Sequence, residues 1–312
     1  MCSTGVPATT RQAVTASPLP EITVVVPTRA APQRRASLRR AVESVLCQRH
    51  VAARVLIIVN GAEREPEEVA ELRADRRVRA IVRAHADLPA AYREGVRAVD
   101  TAFFATLDDD DLLLPDAMKV RHSALARHPD RLVAVTNGIL RKEGTDTIHV
   151  RDGAAVRADP LRAMLRRNWL LPGSWLCRTT PETRGLFDAM PRFLECTYLG
   201  LRFGMLGLVY LDEPTVIYHV GTPLSESHTA AYVEGQAEAL RQILTLDLPP
   251  FVRRALRPRV AAAHHGSANL ALRAGALRDA WRWHVATLRE AGGWRYLPFA
   301  RHLIAATLWR RR

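Results

Sequence analysis

Four short apolar segments, separated by helical patterns, constrain the fold of this chain more than any other feature. They are residues 22–26, 55–59, 78–82 and 103–107. Between the first two segments, apolar residues recur at the 3.6-residue spacing of a helix, at Leu38, Val42 and Val45. Apolar strands that alternate with helices predict an α/β fold, with a doubly wound, mostly parallel sheet covered on both faces.

The sequence pattern divides the chain into three parts. Residues 1–18 are small, polar and interrupted by proline, which predicts a disordered tail. Residues 19–225 carry the strand and helix patterns and are expected to form one domain. After residue 130 the alternation loosens into irregular loops and short strands, predicted at residues 133–136, 148–150, 208–211 and 215–219. Residues 226–312 predict a helical C-terminal extension.

The net charge is strongly positive. Forty-five Lys and Arg against 32 Asp and Glu give a formal charge of +13. This excess favours an anionic partner such as nucleic acid, a phosphorylated small molecule or an acidic lipid. Lys119 and Lys142 are the only lysines, and an Ala/Arg-rich chain can owe its arginines to genome composition. The charge alone therefore leaves the partner open.

Several protein classes are excluded or disfavoured by missing signals. The four cysteines are scattered without metal-ligand spacing, which argues against a zinc site and a disulfide framework. No uncharged apolar run approaches the roughly 20 residues that span a bilayer, so we expect a cytoplasmic protein. Neither GxGxxG nor GxxxxGK[ST] occurs, which argues against a dinucleotide oxidoreductase and a P-loop enzyme.

Four consecutive aspartates, Asp108 to Asp111, directly follow the fourth apolar segment. Adjacent carboxylates raise one another's pKa and resist folding unless a cation neutralises them or water surrounds them. A solvated acidic loop is one interpretation. The position favours another, because ligands of open α/β sheets bind at the carboxyl ends of parallel strands. Hard oxygen ligands favour Mg²⁺ or Mn²⁺, so the run predicts a divalent-metal site. A clustered run does not suit a hydrolase, which needs two separated acids.

Five segments, in order, resemble the motifs of one enzyme family. They are residues 24–29 (VVVPTR), 38–48 (LRRAVESVLCQ), 57–61 (IIVNG), 104–111 (FATLDDDD) and 193–202 (FLECTYLGLR). The chain thereby resembles the family 2 glycosyltransferases, which are inverting enzymes that use nucleotide-sugar donors. The resemblance covers about residues 22–225 and implies a GT-A fold, followed here by the helical extension.

The resemblance also implies roles for particular residues. The donor would contact residues at the strand ends and in the acidic run, namely Pro27, Thr28, Arg29, Asn60, Asp108 and Asp109. Mn²⁺ or Mg²⁺ would be held by Asp108 and Asp110 and supported by Asp111. His219 is a candidate third metal or diphosphate contact, with a surface histidine at a strand end as the alternative. The acceptor would be a glycan, a lipid-linked saccharide or another small molecule.

The chain departs from the family at two of these positions. Most family members carry a Glu-Asp pair, and its Asp is the catalytic base. Here the pair is Glu195-Cys196, and a thiol is a poor catalytic base for a sugar hydroxyl. Three hypotheses remain: Glu195 is the catalytic base, Asp188 reaches the site, or the protein is a catalytically weak or inactive relative that binds nucleotide sugar or glycan. Asn60 replaces an Asp that usually contacts the base of the nucleotide, which weakens the case for a uracil-containing donor.

The C-terminal helices interleave tryptophan with arginine. This composition suits peripheral attachment to anionic lipid at the inner face of a membrane. The alternative is a helical cap that packs on the catalytic domain with solvated arginines. Only Arg310 to Arg312 form a compact basic end. Nucleic-acid binding is not expected, because no recognised basic-aromatic module appears.

Overall fold

The computed structural model of the protein describes residues 19–62, 64–222, 225–226 and 229–309. The predicted tail, residues 1–18, and the basic end, Arg310 to Arg312, lie outside the described residues. The predicted α/β architecture with a helical C-terminal region is confirmed. One sheet forms the centre of the first two thirds of the chain, and helices form most of the last third.

The described residues contain nine strands, all in one sheet. They are β1 (Glu21–Thr28), β2 (Ala52–Asn60), β3 (Val78–Arg83), β4 (Phe103–Thr106), β5 (Leu112–Leu113), β6 (Val133–Lys142), β7 (Thr145–Ile148), β8 (Trp175–Arg178) and β9 (Leu208–His219). The order across the sheet is β3-β2-β1-β4-β8-β6-β9-β5, and β7 pairs with β6. Strands β1 to β4 are mutually parallel, as predicted, whereas β8 runs antiparallel to both of its neighbours.

Twelve α-helices lie in the described part of the chain. They are α1 (Arg35–Leu46), α2 (Pro66–Ala74), α3 (Leu88–Arg97), α4 (Ala117–Arg127), α5 (Gly153–Ala158), α6 (Pro160–Arg166), α7 (Pro181–Arg184), α8 (Glu195–Leu206), α9 (Ala230–Leu244), α10 (Pro250–Arg273), α11 (Leu277–Arg289) and α12 (Ala300–Trp309). Short 3₁₀ helices cover Pro32–Arg34, Gly185–Phe187 and Gly293–Phe299. None of the helices in these ranges is long and apolar enough to cross a membrane.

Both faces of the sheet are buried, which explains why its strands are continuously apolar. On β1, Val25 joins one hydrophobic cluster, while Val24 and Val26 join the cluster on the opposite face. Helix α3 packs closely on the first face, since a Cβ added at Gly95 would lie 2.3 Å from Val25 Cγ1. Helices α9 and α10 extend this cluster through residues such as Leu240, so the C-terminal region shares the core of the sheet.

The later strands differ in detail from the sequence prediction. The segments predicted at residues 208–211 and 215–219 form the single strand β9, which continues through Pro214, where its register with β6 shifts. The strand predicted at 148–150 was wrong beyond Ile148, where β7 ends. The His149 amide still donates to the Gly138 carbonyl of β6, but Val150 pairs with the side chain of Asn137 instead of the β6 backbone. Strands β5 and β8 were not predicted.

A buried arginine joins the later strands. Arg121, on α4, is fully buried and donates hydrogen bonds to Thr136 Oγ1 at 3.1 Å, to the Trp175 carbonyl at 3.1 Å and to Thr215 Oγ1 at 2.6 Å. Burial lowers the pKa of Arg121 to about 9. The guanidinium therefore links β6, β8 and β9 at the cost of desolvating a charge that no carboxylate balances among its described contacts.

Candidate active site

The acidic run lies where the parallel strands end. The Leu107 amide donates to the Val25 carbonyl at 3.0 Å, which extends the β1–β4 pairing by one residue. The Asp111 amide then donates to the Asp108 carbonyl at 3.2 Å, which closes a turn. The carboxyl ends of parallel strands meet at one edge of a sheet. This turn therefore places the four carboxylates at the same edge as Thr28 and Asn60, the last residues of β1 and β2.

The first two aspartates accept hydrogen bonds from distant parts of the chain. The Tyr92 hydroxyl on α3 donates to Asp108 Oδ1 at 2.5 Å. The Thr28 hydroxyl donates to Asp109 Oδ2 at 2.6 Å, and Arg34 Nη1 lies 3.1 Å from Asp109 Oδ1. These contacts fix the orientation of both carboxylates.

The other two aspartates are held by Arg34 and by residues at and just after the end of β9. Asp110 Oδ2 accepts from the Thr222 hydroxyl at 2.5 Å and lies 2.5 Å from Arg34 Nη1. Asp111 is fully buried, and its Oδ1 accepts from the His219 amide at 2.8 Å. The end of β9 is thus connected to the acidic turn.

Burial makes ionisation of this cluster costly. Burial, followed by the charge of Asp110, raises the pKa of Asp108 to about 7. Burial likewise raises the pKa of Asp109, although Thr28 and Arg34 oppose the shift. Burial and the charge of Asp108 raise the pKa of Asp111 well above its usual range. Burial opposes the charge of Arg34, but the nearby aspartates outweigh it and raise the Arg34 pKa. The site therefore favours added positive charge.

The donor set fits a divalent metal. One oxygen from each of Asp108, Asp110 and Asp111 lies within 4.8 Å of the others. Asp111 Oδ2 is buried and has no hydrogen-bond partner among the described residues, and the same holds for His219 Nδ1. Burial, followed by the charge of Arg141, lowers the pKa of His219, which favours the neutral imidazole that binds metals. Buried orphan atoms of this kind are what a hard cation would satisfy.

A cavity of about 510 Å³ opens beside this cluster. It brings together most of the predicted site residues, namely Pro27, Thr28, Arg29, Asn60, Asp108, Asp109, Asp110, Glu195 and His219. Asp188 is not among the lining residues. Its carboxylate is about half exposed and accepts from Arg97 Nη2 at 2.7 Å on the protein surface.

Glu195 begins helix α8 and faces the cavity. Its Oε1 accepts a hydrogen bond from the Phe193 amide at 2.9 Å, and Phe193 has a positive φ of 79° that turns the chain into the helix. Burial raises the pKa of Glu195. Cys196 also lines the cavity, but burial and then Asp108 raise the pKa of its thiol well above the usual value. Between these neighbours, the carboxylate is the better proton acceptor.

One end of the cavity is formed by Asn60. Its Oδ1 accepts from the Asp87 amide at 3.0 Å, so its NH₂ group is the part of the amide left to donate. Arg29 lies nearby and pairs with Glu226 at 2.8 Å. This end is polar and partly charged, which suits a nucleotide.

The opposite end of the cavity includes His149 and Arg167. Asn137 holds this wall on β6: its Nδ2 donates to the Val150 carbonyl at 2.8 Å, and its Oδ1 accepts from the Val150 amide at 3.0 Å. In the sheet order, β6 is four strands beyond β2, which ends at Asn60, or roughly 19 Å away. This wall is therefore well separated from the Asn60 end.

The sequence comparison agrees with this geometry. The family described as Glycosyl transferase family 2 matches residues 23–177, which include β1 to β4 and the acidic run. Over these residues the chain belongs to glycosyl transferase family 2. It is a glycosyltransferase, and its acidic run corresponds to a DxD motif. Glu195 and His219 lie beyond the matched residues. No curated protein matches this chain.

Solved structures of S. aureus TarS share the fold of this family 2 enzyme. TarS 1-349 in complex with UDP-GlcNAc has a TM-score of 0.55 and 12% identity, with 79% of this chain and 72% of that chain covered. The 1-349 complex with UDP has a TM-score of 0.51 and 12% identity over 78% and 71%. Another TarS structure, with a TM-score of 0.53 and 12% identity, matches over 79% of this chain but only 43% of its own. At 12% identity these likenesses show the GT-A fold alone.

The sequence did not single out several residues of the site, among them Arg34 and Tyr92. Arg34 lies in the basic segment before α1, where nothing in the sequence distinguishes it from its neighbour Arg35, which pairs instead with Glu68 on α2. Tyr92 lies on the buried face of α3. A tyrosine on a buried helix face needs a hydrogen-bond partner for its hydroxyl, and this requirement could have indicated a polar group nearby.

Proposed function

We propose that this enzyme transfers a sugar, with inversion, from a nucleotide-diphosphate donor to a saccharide, lipid-linked or small-molecule acceptor. One observation carries the proposal: the acidic turn and Glu195 line the same cavity. The TarS structures, which are described as complexes with UDP-GlcNAc and UDP, support a donor of this class.

The donor is proposed to lie between Asn60 and the acidic turn. The Asn60 NH₂ group would donate to an edge of the base, while Pro27, Thr28 and Arg29 would border the nucleotide. Asp108 and Asp109 would complete this end. Because the Thr28 hydroxyl already donates to Asp109, the contact is formed before the donor arrives.

Asp108 and Asp110 would hold Mn²⁺ or Mg²⁺, with Asp111 and His219 in support. The proposal rests on the proximity of the three carboxylates and on the two buried orphan atoms. When bound, such a cation would supply a Lewis acid for the negative charge of the departing diphosphate. Arg34, which lies between Asp109 and Asp110, would add a fixed positive charge beside the same group.

Glu195 is proposed to accept the proton of the acceptor hydroxyl. Its raised pKa moves it toward the operating pH, where a general base is most effective. Attack by the hydroxyl from the face opposite the leaving group inverts the anomeric carbon. The position of Asp188 in a surface ion pair does not support a role for that residue in proton transfer.

The test is a transfer assay with UDP- and GDP-sugars in the presence of Mn²⁺. Loss of a general base costs about 10² to 10⁴ in rate, so Glu195→Gln should lose that much kcat while it still binds UDP. Asp188→Asn is the matched control and should retain wild-type rates. Full activity in Glu195→Gln would contradict the assignment of the base.

A second candidate function is binding without transfer, favoured by Cys196 at the family's usual base position. Wild-type protein that binds UDP in calorimetry but turns over no donor would support this alternative.

The metal proposal fails separately if neither Mn²⁺ nor Mg²⁺ binds with UDP or GDP present. We also propose that the enzyme works in a reducing cytoplasm, where its free cysteines persist, in contact with the inner face of an anionic membrane.

A further inference from the structure

Most of the net positive charge of the chain lies in its last fifth. Residues 250–312 contain 13 arginines but only two acidic residues, Asp279 and Glu290, which gives a net charge of +11 out of +13 for the whole chain. Both acids are already paired, Asp279 with Arg282 at 3.4 Å and Glu290 with Arg241 at 2.5 Å. The C-terminal region therefore presents a large uncompensated positive charge.

The same region exposes large apolar side chains. They are Trp294, Leu297, Ile304, Leu308 and Trp309, which we call the apolar face, with exposed fractions of 68, 54, 50, 60 and 84%. Scattered single apolar residues on a surface are ordinary, but five within 16 residues, two of them tryptophan, are not. Such a concentration points to a binding surface.

Helical geometry groups four of these side chains in two pairs. In the 3₁₀ helix Gly293–Phe299, Trp294 and Leu297 are three residues apart and stack on one side. In α12, Ile304 and Leu308 are four residues apart and share a face.

The other side of α12 is attached to the protein. Leu303 is fully buried, and the Thr307 hydroxyl accepts a hydrogen bond from Trp281 Nε1 at 3.2 Å. The packed side of the helix is therefore occupied, and the apolar face is the side left over.

Arginines border the apolar face. The Arg295 guanidinium lies 5.6 Å from the centre of the Trp294 ring, and Arg301 is exposed three residues before Ile304. Residues 291–309 contain no acidic residue. Apolar side chains flanked by arginine, on short helices that cannot span a bilayer, match the chemistry of the headgroup region of a membrane.

We propose that the apolar face docks on a bilayer that contains anionic phospholipid, with the tryptophans at the headgroup level and the arginines against lipid phosphates. This names the residues and the lipid class of the membrane contact proposed above and does not depend on the donor. A second copy of the chain would bring a like charge of +11 to the interface. Nucleic acid would neutralise the arginines but leave the leucine and isoleucine exposed.

The experiment is co-sedimentation of the full chain with vesicles of phosphatidylcholine, with and without phosphatidylglycerol. We expect binding to the anionic vesicles alone, weakened by added salt. Ile304→Ser combined with Leu308→Ser should lower the partition coefficient at least roughly tenfold, because two aliphatic side chains that would be buried in the bilayer are lost. Ile148→Ser, which changes a 45% exposed residue on β7, is the matched control and should bind like the wild type.

Two further measurements make the outcome decisive. Brominated lipid should quench tryptophan fluorescence of the unmodified protein, and UDP binding should be equal in all variants. The proposal would be overturned if the protein bound vesicles of phosphatidylcholine alone as strongly as vesicles that contain phosphatidylglycerol. Vesicle binding by the double variant equal to that of the wild type would also overturn it. A dimer that forms in the wild type but not in the double variant, as measured by sedimentation analysis, would also overturn it. Binding to DNA without binding to vesicles would do the same.

Discussion

Arg34 should be the residue that lets the acidic turn fold without bound metal. Its guanidinium lies 3.1 Å from Asp109 and 2.5 Å from Asp110, and its side chain is only 12% exposed. Removal of one partner from a buried ion pair costs about 3 to 5 kcal/mol, because the remaining charges stay buried and uncompensated. Arg34→Met keeps the bulk of the side chain, so we expect it to lower the free energy of unfolding at pH 7 by about 3 kcal/mol.

Urea unfolding followed by tryptophan fluorescence measures this loss. Arg39→Met is the matched control: it removes a 57% exposed arginine that pairs with Glu71, and exposed pairs contribute about 0 to 1 kcal/mol.

The dependence on pH and metal separates charge from packing in the Arg34 variant. Without Arg34 the folded-state pKa of Asp109 should rise further above its unfolded value. The destabilisation is then complete above that raised pKa and shrinks as pH falls through it. Mn²⁺ should restore stability more in Arg34→Met than in the wild type, because it replaces the missing positive charge. A loss equal to that of Arg39→Met, or one that neither acid nor Mn²⁺ reduces, would refute the reasoning.

Four other outcomes are expected. Mn²⁺ affinity, measured by calorimetry, should fall as pH drops through about 7, where Asp108 takes up a proton. Tyr92→Phe should move that fall to higher pH, since the Tyr92 hydrogen bond lowers the Asp108 pKa; an unshifted profile would contradict this. Gly95→Ala should lower the free energy of unfolding in urea by about 1 to 2 kcal/mol, because the new methyl group collides with Val25. An unchanged urea midpoint would contradict the close packing of α3 on β1. Arg121→Met should destabilise less than Arg121→Ala in the same assay, since only the latter leaves a cavity.

Local pattern was sufficient for the first half of the fold. Strands buried on both faces are continuously apolar, so β1 to β4 could be found from residues 22–107 alone. Strand β8 was missed because its sequence, WLCR, contains no β-branched residue and spans only four positions. The sequence prediction divided strand β9 in two because proline usually interrupts a strand. Pro214 instead lies within β9, at the register shift against β6.

The site was predictable where its residues follow strands and not where they arrive from helices. Asp108 to Asp110 and Thr28 follow predicted parallel strands, whose carboxyl ends must meet. Arg34 reaches the acidic turn across 75 residues of sequence, and no local pattern encodes such a contact. Glu195 could be proposed only by resemblance, because its approach to the cavity depends on the positive φ of Phe193.

The wall near His149 is held by one side chain in addition to the backbone pairing of β6 with β7 and His149. Asn137 imitates a neighbouring backbone by pairing with both polar groups of Val150, so no further strand is needed there. A substitution at Asn137 would therefore release Val150 from β6 and leave the backbone pairing of β6 with β9 intact. Relatives could therefore reshape this end of the cavity by altering Asn137, while the acidic turn at the other end stays as it is.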